Sequence, residues 1–314
     1  MSSNRVGSRP ASLAAHHRGR AWEPFQGSHI EATRATRRFE WGLWLVLGGV
    51  IVGSVWLFAS SLGQTDGKAV RTLLARAWFW RSLWLSVFTA TVTTLVATLV
   101  GIPTAYALSR FRFRGRMAAS VLLDAVLVVP ASTVGLSLMV ALQYPSVLAL
   151  QDALGFRVVH SVASIVLAQL VLALAFGIQA WRAAFDSLNP RFEHVARSLG
   201  SSRLRTFFTV TLPLARSGVL AGVVLAWTRA LAEFGAVLLV SGTFRMRDAT
   251  QFSSLSRWLG ISKADVLSVG MWMEIEGGRT EQGVAIAFAL VLISALSVYL
   301  LHRLVDGRRS WVHP

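Results

Sequence analysis

Six long apolar runs constrain this chain more than any other feature, because each exceeds the roughly 18 residues that indicate a membrane-spanning helix. A helix of that length crosses roughly 30 Å of hydrocarbon. An isolated strand would leave backbone N–H and C=O groups without partners in lipid. The sequence therefore predicts an all-α integral membrane protein with about six transmembrane helices. The predicted spans are residues 41–62, 82–108, 119–144, 160–181, 218–241 and 283–303.

The composition agrees with a membrane protein and excludes several kinds of site. Hydrophobic residues make up 54% of the 314 residues and charged residues only 15%, which is extreme for a soluble domain. The absence of cysteine excludes disulfides and thiolate metal ligands. His, Asp and Glu show no metal-ligand spacing, and no nucleophile stands beside a candidate base. We therefore predict no metal, no cofactor and no catalytic residue.

Arginine and lysine produce a net charge of +16 and predict the membrane orientation. In a soluble protein this charge would favour nucleic acid. Here it lies in loops between apolar runs, so we expect membrane lipids and no nucleic acid as its partners. Twenty of the 31 positive residues lie on the side of both termini and ten on the other side, which places both termini in the cytoplasm. Residues 1–40 form a basic tail without periodicity, expected to be disordered, before an additional first span at 41–62.

A polar, arginine-rich segment at residues 191–213 separates the fourth and fifth spans. Asn189-Pro190 is a helix start signal, and Gly200 is expected to end that helix as a C-terminal cap. A second short helix is predicted at 203–210. An amphipathic helix of this kind either lies on the membrane surface or fits a groove of a partner protein. Amphipathicity alone favours neither of these two locations. Its apolar stripe consists of Phe192, Val195, Ala196 and Leu199.

Charges and prolines inside the spans are further candidates for function. Arg229 and Glu233 are four residues apart in the fifth span, so we expect them to share a helix face and pair. Charges within a span are costly and mark function by default. A structural ion pair and the lining of an anion pathway are equally compatible with this spacing. Pro103 and Pro130 each predict a helix bend, either passive or acting as a hinge for alternating access.

Two other features concern packing. Gly218 and Gly222 have the spacing of a close helix contact. The long external loop at 242–282 mixes apolar and polar residues. It is either a short helix on the outer membrane interface, where Trp258 and Trp272 suit the headgroup region, or a plain structured loop.

The segment around Gly200 resembles the EAA loop of binding-protein-dependent ABC importer permeases. The pattern of that loop is E-A-A, three residues, Gly, nine residues, then I-x-L-P. Here residues 194–196 (HVA) are followed by three residues and Gly200, and then by nine residues and 210–213 (VTLP). Histidine and valine replace the Glu and first Ala of the pattern, and Glu193 stands one residue upstream.

The resemblance covers about residues 80–305. Residues 101–115 (GIPTAYALSRFRFRG) are similar to the end of the first core helix and its arginine-rich turn, and 127–136 (LVVPASTVGL) to the proline-containing third helix. Residues 229–242 (RALAEFGAVLLVSG) resemble the molybdate, tungstate and sulfate branch, with Ala232 in place of a glycine.

The resemblance implies a non-catalytic permease subunit of an ATP-driven importer that moves an oxyanion across the inner membrane by alternating access, molybdate first and tungstate or sulfate close behind. It implies two copies of a cytoplasmic ATP-binding ABC subunit, a second permease subunit in a homodimer, and an external solute-binding protein. The alternative is a stand-alone secondary anion transporter or channel, which predicts inverted repeats; the sequence has no convincing one. The coupling loop would be 182–217, and its expected ATPase-coupling residues are Glu193, His194, Ala196, Leu199, Gly200, Leu212 and Pro213.

Overall fold

The computed structural model describes residues 26–63, 67–155, 158–242 and 265–306. These residues form helices joined by short turns, and no strand occurs among them. The chain divides into two compact units, Met1–Ser60 and Ser61–Pro314. The helices are α1 (Gln26–Gly63), α2 (Gly67–Ala75), α3 (Ala77–Arg110), α4 (Arg116–Val128), α5 (Ala131–Leu142), α6 (Pro145–Ala153), α7 (Val162–Asp186), α8 (Arg191–Ser198), α9 (Arg203–Leu214), α10 (Arg216–Leu231), α11 (Gly235–Ser241), α12 (Leu267–Glu276) and α13 (Thr280–Asp306).

Four of the described helices are long and apolar enough to cross a membrane, and the number is six if each of two bent pairs counts as one span. The first is the Phe39–Ser60 part of α1, whose apolar side chains are largely exposed. We expected an irregular tail over residues 1–40, but α1 begins at Gln26, so that expectation is wrong for 26–40. No proline interrupts the helix in this stretch. Residues 1–25 lie outside the described part.

Helices α3, α7 and α10 form the centre of the second unit, and α7 packs against both of the others. Trp181 of α7 is fully buried there, and its Nε1 donates a hydrogen bond to Val219 O at 3.0 Å. Glycine makes this close approach possible, since a Cβ at Gly101, Gly177 or Gly222 would lie within 3.0 Å of the indole ring. One tryptophan therefore interlocks three helices.

Small residues also bring α10 against α7 one turn further along. A Cβ at Gly218 would lie under 3.0 Å from the Cβ of Ala184. The close helix contact predicted from Gly218 and Gly222 is therefore confirmed. Helix α3 is continuous through Pro103 from Ala77 to Arg110, so this proline does not interrupt the span.

The third span is not one straight helix. Helices α4 and α5 meet at Pro130 with 114° between them, so the bend expected there is a complete break. Proline lacks an N–H and disfavours helical dihedral angles in the residue before it, and Val129 accordingly has ψ of 135°. Beyond the break, α5 packs against α11, where a Cβ at Gly135 would lie 2.6 Å from Ala236 Cα.

The fifth span is also broken. Helix α10 ends at Leu231 and α11 begins at Gly235, so the expectation of a continuous helix over 218–241 is wrong. The carboxylate of Glu233 accepts a hydrogen bond from Ala236 N at 2.8 Å. This local cap starts a new helix and competes with continuation of the old one.

Helix α12 lies within the predicted external loop, 242–282, and is buried at its start. Ser86 Oγ of α3 accepts a hydrogen bond from Leu267 N at 2.6 Å, and Ser268 Oγ donates to Glu233 O at 2.8 Å. Neither alternative predicted for this loop, an interfacial helix or a plain structured loop, includes such packing inside the bundle. Trp272 of α12 lies against Phe234, with 5.7 Å between ring centroids, whereas Trp258 lies outside the described residues.

Candidate functional site

Helix α8 is delimited by caps that its local sequence encodes. At its start, Asn189 Oδ1 accepts a hydrogen bond from Arg191 N at 3.0 Å. At its end, Gly200 has φ of +85°, and the N–H groups of Gly200 and of the next residue bond back to carbonyls of α8 at 3.0 and 3.1 Å. This pair of bonds is a Schellman motif. The C-terminal cap predicted at Gly200 is thus present.

Helix α9 leads from Gly200 back to the bundle and is longer than the helix predicted at 203–210. Ser202 Oγ caps its first turn by accepting from Arg205 N at 3.3 Å. A π-helical turn, Phe207–Thr211, precedes Pro213. Proline has no N–H for the carbonyl four residues earlier and its ring needs room beside that carbonyl, which a wider turn provides. Helices α9 and α10 then meet at 80°.

Glu193 anchors α8 to the end of α3. Its Oε1 accepts a hydrogen bond from Arg110 Nε at 2.8 Å, and its Oε2 accepts from the Tyr106 hydroxyl at 2.9 Å. The same arginine donates from Nη2 to the carbonyls of Phe185 and Leu188 at 2.8 and 3.1 Å. One guanidinium therefore holds the ends of α3 and α7 and the first turn of α8 together.

An aromatic cluster surrounds this anchor. The Tyr106 ring lies 5.6 Å from the Phe185 ring of α7 and 4.7 Å from the Phe207 ring in the π-helical turn of α9. Phe111, directly after α3, packs edge-on against Tyr106 at 5.8 Å. Both loop helices are thus fixed to the bundle, α8 by charge and α9 by aromatic packing.

The apolar stripe of α8 faces away from the anchor. Phe192, Val195 and Leu199 are 56%, 61% and 84% exposed. Their helical spacing places them on one side, whereas Glu193 and Arg197 share the other side with the bundle. The described part of the chain leaves this apolar face uncovered.

The predicted coupling residues therefore occupy different environments. Glu193 is largely buried in the ion pair, with its side chain 12% exposed. Ala196 and Leu212 are half-buried, and Leu212 packs against the main core cluster. The exposed members of the set are His194, Leu199, Gly200 and Pro213.

A second candidate site lies at the break between α10 and α11. Arg229 Nη1 lies 2.6 Å from Glu233 Oε2, and the Arg229 guanidinium is 5.4 Å from the centre of the Phe176 ring. The predicted pair therefore forms, but Glu233 belongs to the break and not to a shared helix face. The Glu233 side chain is 1% exposed and that of Arg229 is 25% exposed. The carboxylate is committed to the pair and to the helix cap, and the guanidinium keeps an accessible edge.

Several contacts around the candidate sites could not be predicted from the sequence, because their partners are far apart along the chain. Arg110 and Glu193 are 83 positions apart. Between α4 and α7, Gln179 Nε2 donates to Asp124 Oδ1 and Arg182 Nη1 donates to Ser120 Oγ at 3.2 Å. An aspartate inside an apolar run was the one available signal for this contact.

A further cluster joins α12 to the start of α3. The Glu274 side chain is 8% exposed and pairs with Arg279 and, at 3.7 Å, with Arg76. The hydrogen bond and the charge of Glu274 raise the pKa of Arg279. Among the described residues, no group of three or more His, Cys, Asp or Glu could hold a metal ion.

Residues 97–311 match the family described as binding-protein-dependent transport system inner membrane component. The molybdate/tungstate transport system permease protein WtpB of Pyrococcus furiosus is 37% identical over 176 residues, which cover 56% of this chain and 66% of the relative. A probable molybdenum ABC transporter permease protein of Haloferax volcanii is 34% identical over 226 residues, covering 72% of this chain and 75% of that protein. The chain matches 58% to 66% of the length of the WtpB proteins of Pyrococcus and Thermococcus.

Solved transporters share the fold. A bacterial ABC transporter involved in the import of the acidic polysaccharide alginate has a chain that aligns with a TM-score of 0.63 at 16% identity, over 88% of this chain and 99% of that one. A chain of the inward-facing MetNI methionine ABC transporter aligns with a TM-score of 0.56 at 13% identity, over 73% of this chain and 95% of its own length. The region that matches the family, residues 97–311, contains both loop helices and Arg229. The chain belongs to the inner membrane components of binding-protein-dependent transport systems and is a multi-pass protein of the inner membrane.

Proposed function

We propose that this chain is the permease subunit of an ATP-driven importer, and that α8 and α9 are the coupling helices on which an ATPase subunit acts. The observation that carries the proposal is the arrangement of α8. Its outer apolar face is exposed while Glu193 anchors its inner side to the bundle. An exposed amphipathic helix of this kind fits a groove on a partner protein, and the WtpB relative is by name a permease of a transport system.

The anchor gives the coupling helices a mechanical path into the bundle. Arg110 is bonded both to Glu193 and to carbonyls at the end of α7, so a displacement of α8 moves the ends of α3 and α7. Helix α7 is interlocked with α3 and α10 around Trp181. Closure of the ATPase subunits on ATP would therefore tilt these helices together and open the pathway alternately to each side.

The cargo in this proposal is an oxyanion, with molybdate first and tungstate and sulfate as the alternatives. The names of the WtpB relatives and of a molybdenum transport system permease protein ModB of Escherichia coli support this class. Arg229 adds a partly exposed positive charge at the break in the fifth span, and Glu233 neutralises part of it. A weak site is sufficient if an external binding protein carries most of the selectivity.

The proposed assembly contains two copies of this chain, two ATPase subunits and one external solute-binding protein. One of the similar solved structures is a bacterial alginate ABC transporter in complex with an alginate pentasaccharide-bound periplasmic protein. In the proposed assembly both termini and the coupling helices lie in the cytoplasm; the support is that twenty of the 31 positive residues lie on that side.

Co-purification tests the coupling role. The tagged full-length chain is purified from cells that also carry the ATPase subunit, as wild type and as Leu199→Asp and Gly200→Asp, with Leu199→Met as the matched apolar control. We expect both aspartate variants to lose the ATPase and molybdate uptake together, and the control to keep both. The proposal fails if wild type captures no ATPase and Gly200→Asp leaves uptake intact.

Calorimetry on the partner binding protein tests the cargo separately. Tight binding of molybdate, with weaker binding of sulfate, is expected. If that protein binds none of molybdate, tungstate and sulfate, the oxyanion assignment is wrong, while the coupling assignment stands on its own experiment.

A further inference from the structure

A polar pocket of about 370 Å³ lies between the end of α3, the turn before α4 and the inner side of α8. Its lining includes five arginines and one carboxylate, Glu193. A cleft with such an excess of one charge concentrates ions of the opposite sign. The arginines are Arg110, Arg112, Arg116, Arg197 and Arg203.

Most of this positive charge is available to a ligand. Arg110 is engaged by Glu193. Among the residues that the structure describes, no carboxylate lies within ion-pair distance of Arg112, Arg116 or Arg197. The Arg203 guanidinium lies 5.7 Å from the Phe111 ring centre, and a stacking contact of this kind fixes the group but leaves its N–H edge free.

The backbone holds these charges together against their mutual repulsion. Gly115 has φ of +90°, a conformation that favours glycine, and it reverses the chain so that Arg112 and Arg116 flank the same cavity. Arg197 is four residues after Glu193, so it lies on the same side of α8 and lines the pocket. The four guanidinium groups without a carboxylate partner among the described residues give the cavity a positive potential, which an anion bound among them would reduce.

We propose that this pocket binds a doubly charged phosphate-type oxyanion, carried by a phosphomonoester lipid headgroup such as that of phosphatidic acid or by a free ion such as phosphate. Guanidinium forks match the oxygens of such a group in bidentate pairs, and basic pockets between transmembrane helices bind anionic headgroups. This site goes beyond the proposed function, because neither ATPase docking nor transport requires it. The bound group contacts α8 from the inside and leaves its apolar outer face free.

Binding to the full-length chain alone tests the site. The chain is placed in nanodiscs of neutral phosphatidylcholine and titrated with sodium phosphate by calorimetry. In a second arm, the discs also contain phosphatidic acid, and native mass spectrometry counts the lipid molecules retained. The test variant is R112Q/R197Q. The matched control, R114Q/R205Q, removes two arginines from the same turn and the same loop, and neither of these lines the pocket.

We expect phosphate or phosphatidic acid to bind the wild type, with affinity lowered roughly tenfold or more in R112Q/R197Q and nearly unchanged in R114Q/R205Q. The arm that responds identifies the source of the group. Equal losses in both variants would mean general surface electrostatics and would overturn the site. The site is also overturned if wild type binds neither probe. Loss of the ATPase in R112Q/R197Q alone would then mean that the pocket receives a carboxylate of that partner.

Discussion

Arg110 and Glu193 form an ion pair of 2.8 Å that joins the end of α3 to the first turn of α8, and their side chains are only 11% and 12% exposed. Removing one member of such a pair leaves the other charge largely desolvated and uncompensated. The pair therefore specifies where α8 is held. Loss of the pair should therefore reduce both the coupling of α8 to the bundle and the free energy of unfolding.

We expect Glu193→Gln to lower the free energy of unfolding by about 2 kcal/mol and to reduce uptake more than ATPase binding, because the apolar face of α8 remains. Chemical denaturation and co-purification measure the two effects. Glu276→Gln is the control, since Glu276 is exposed at the end of α12. A double-mutant cycle with Arg110→Gln should return a coupling energy of about 1–3 kcal/mol; additive losses would contradict a direct pair.

Gly200 should tolerate asparagine better than alanine. A Cβ at Gly200 meets nothing within 4 Å, so the cost of alanine comes only from the φ of +85°. We expect Gly200→Ala to cost about 1 kcal/mol and Gly200→Asn less, because asparagine adopts this conformation more readily. Unfolding free energies measure the ranking, and equal costs would mean that backbone strain is not the cause.

Overpacking at Trp181 should destabilise the bundle. Gly222→Ala places a methyl group against the indole, and we expect a loss of about 1–3 kcal/mol in unfolding free energy. Gly48→Ala in α1 is the matched control, because a Cβ there meets nothing within 4 Å and alanine favours helix. A similar loss in both variants would show that the cost lies elsewhere than at the tryptophan.

Substitutions that keep or remove the positive charge of Arg229 distinguish a role in transport from a structural role. We expect Arg229→Lys to keep most molybdate uptake, and Arg229→Gln to lose roughly tenfold while the complex still assembles. Uptake assays and size-exclusion chromatography of the complex measure the two properties. Loss of assembly in Arg229→Gln would mean that the pair with Glu233 serves only to lock the break.

The sequence predicted those features that depend only on residues close together in the chain. The spans follow from runs of apolar side chains, and the bend expected at Pro130 follows from a missing N–H and a restricted preceding residue. The same local signal at Pro103 leaves α3 continuous, so the full break at Pro130 depends on its tertiary surroundings. The end of α8 at Gly200 follows from the freedom of glycine at positive φ. The break between α10 and α11 could not be predicted in this way. The spacing of Glu233 and Arg229 indicates a pair on one helix, whereas in the structure Glu233 caps α11.

The sequence by itself thus determined an all-helical membrane protein with a short amphipathic helix between the fourth and fifth spans, because hydrophobicity, caps and turns act over a few residues. Only the tertiary structure decided that Arg110 holds Glu193, that α12 is buried against Ser86, and that arginines from three segments surround one pocket. These contacts join residues far apart in the chain. Their energies depend on burial and distance, which periodicity and charge counting do not contain.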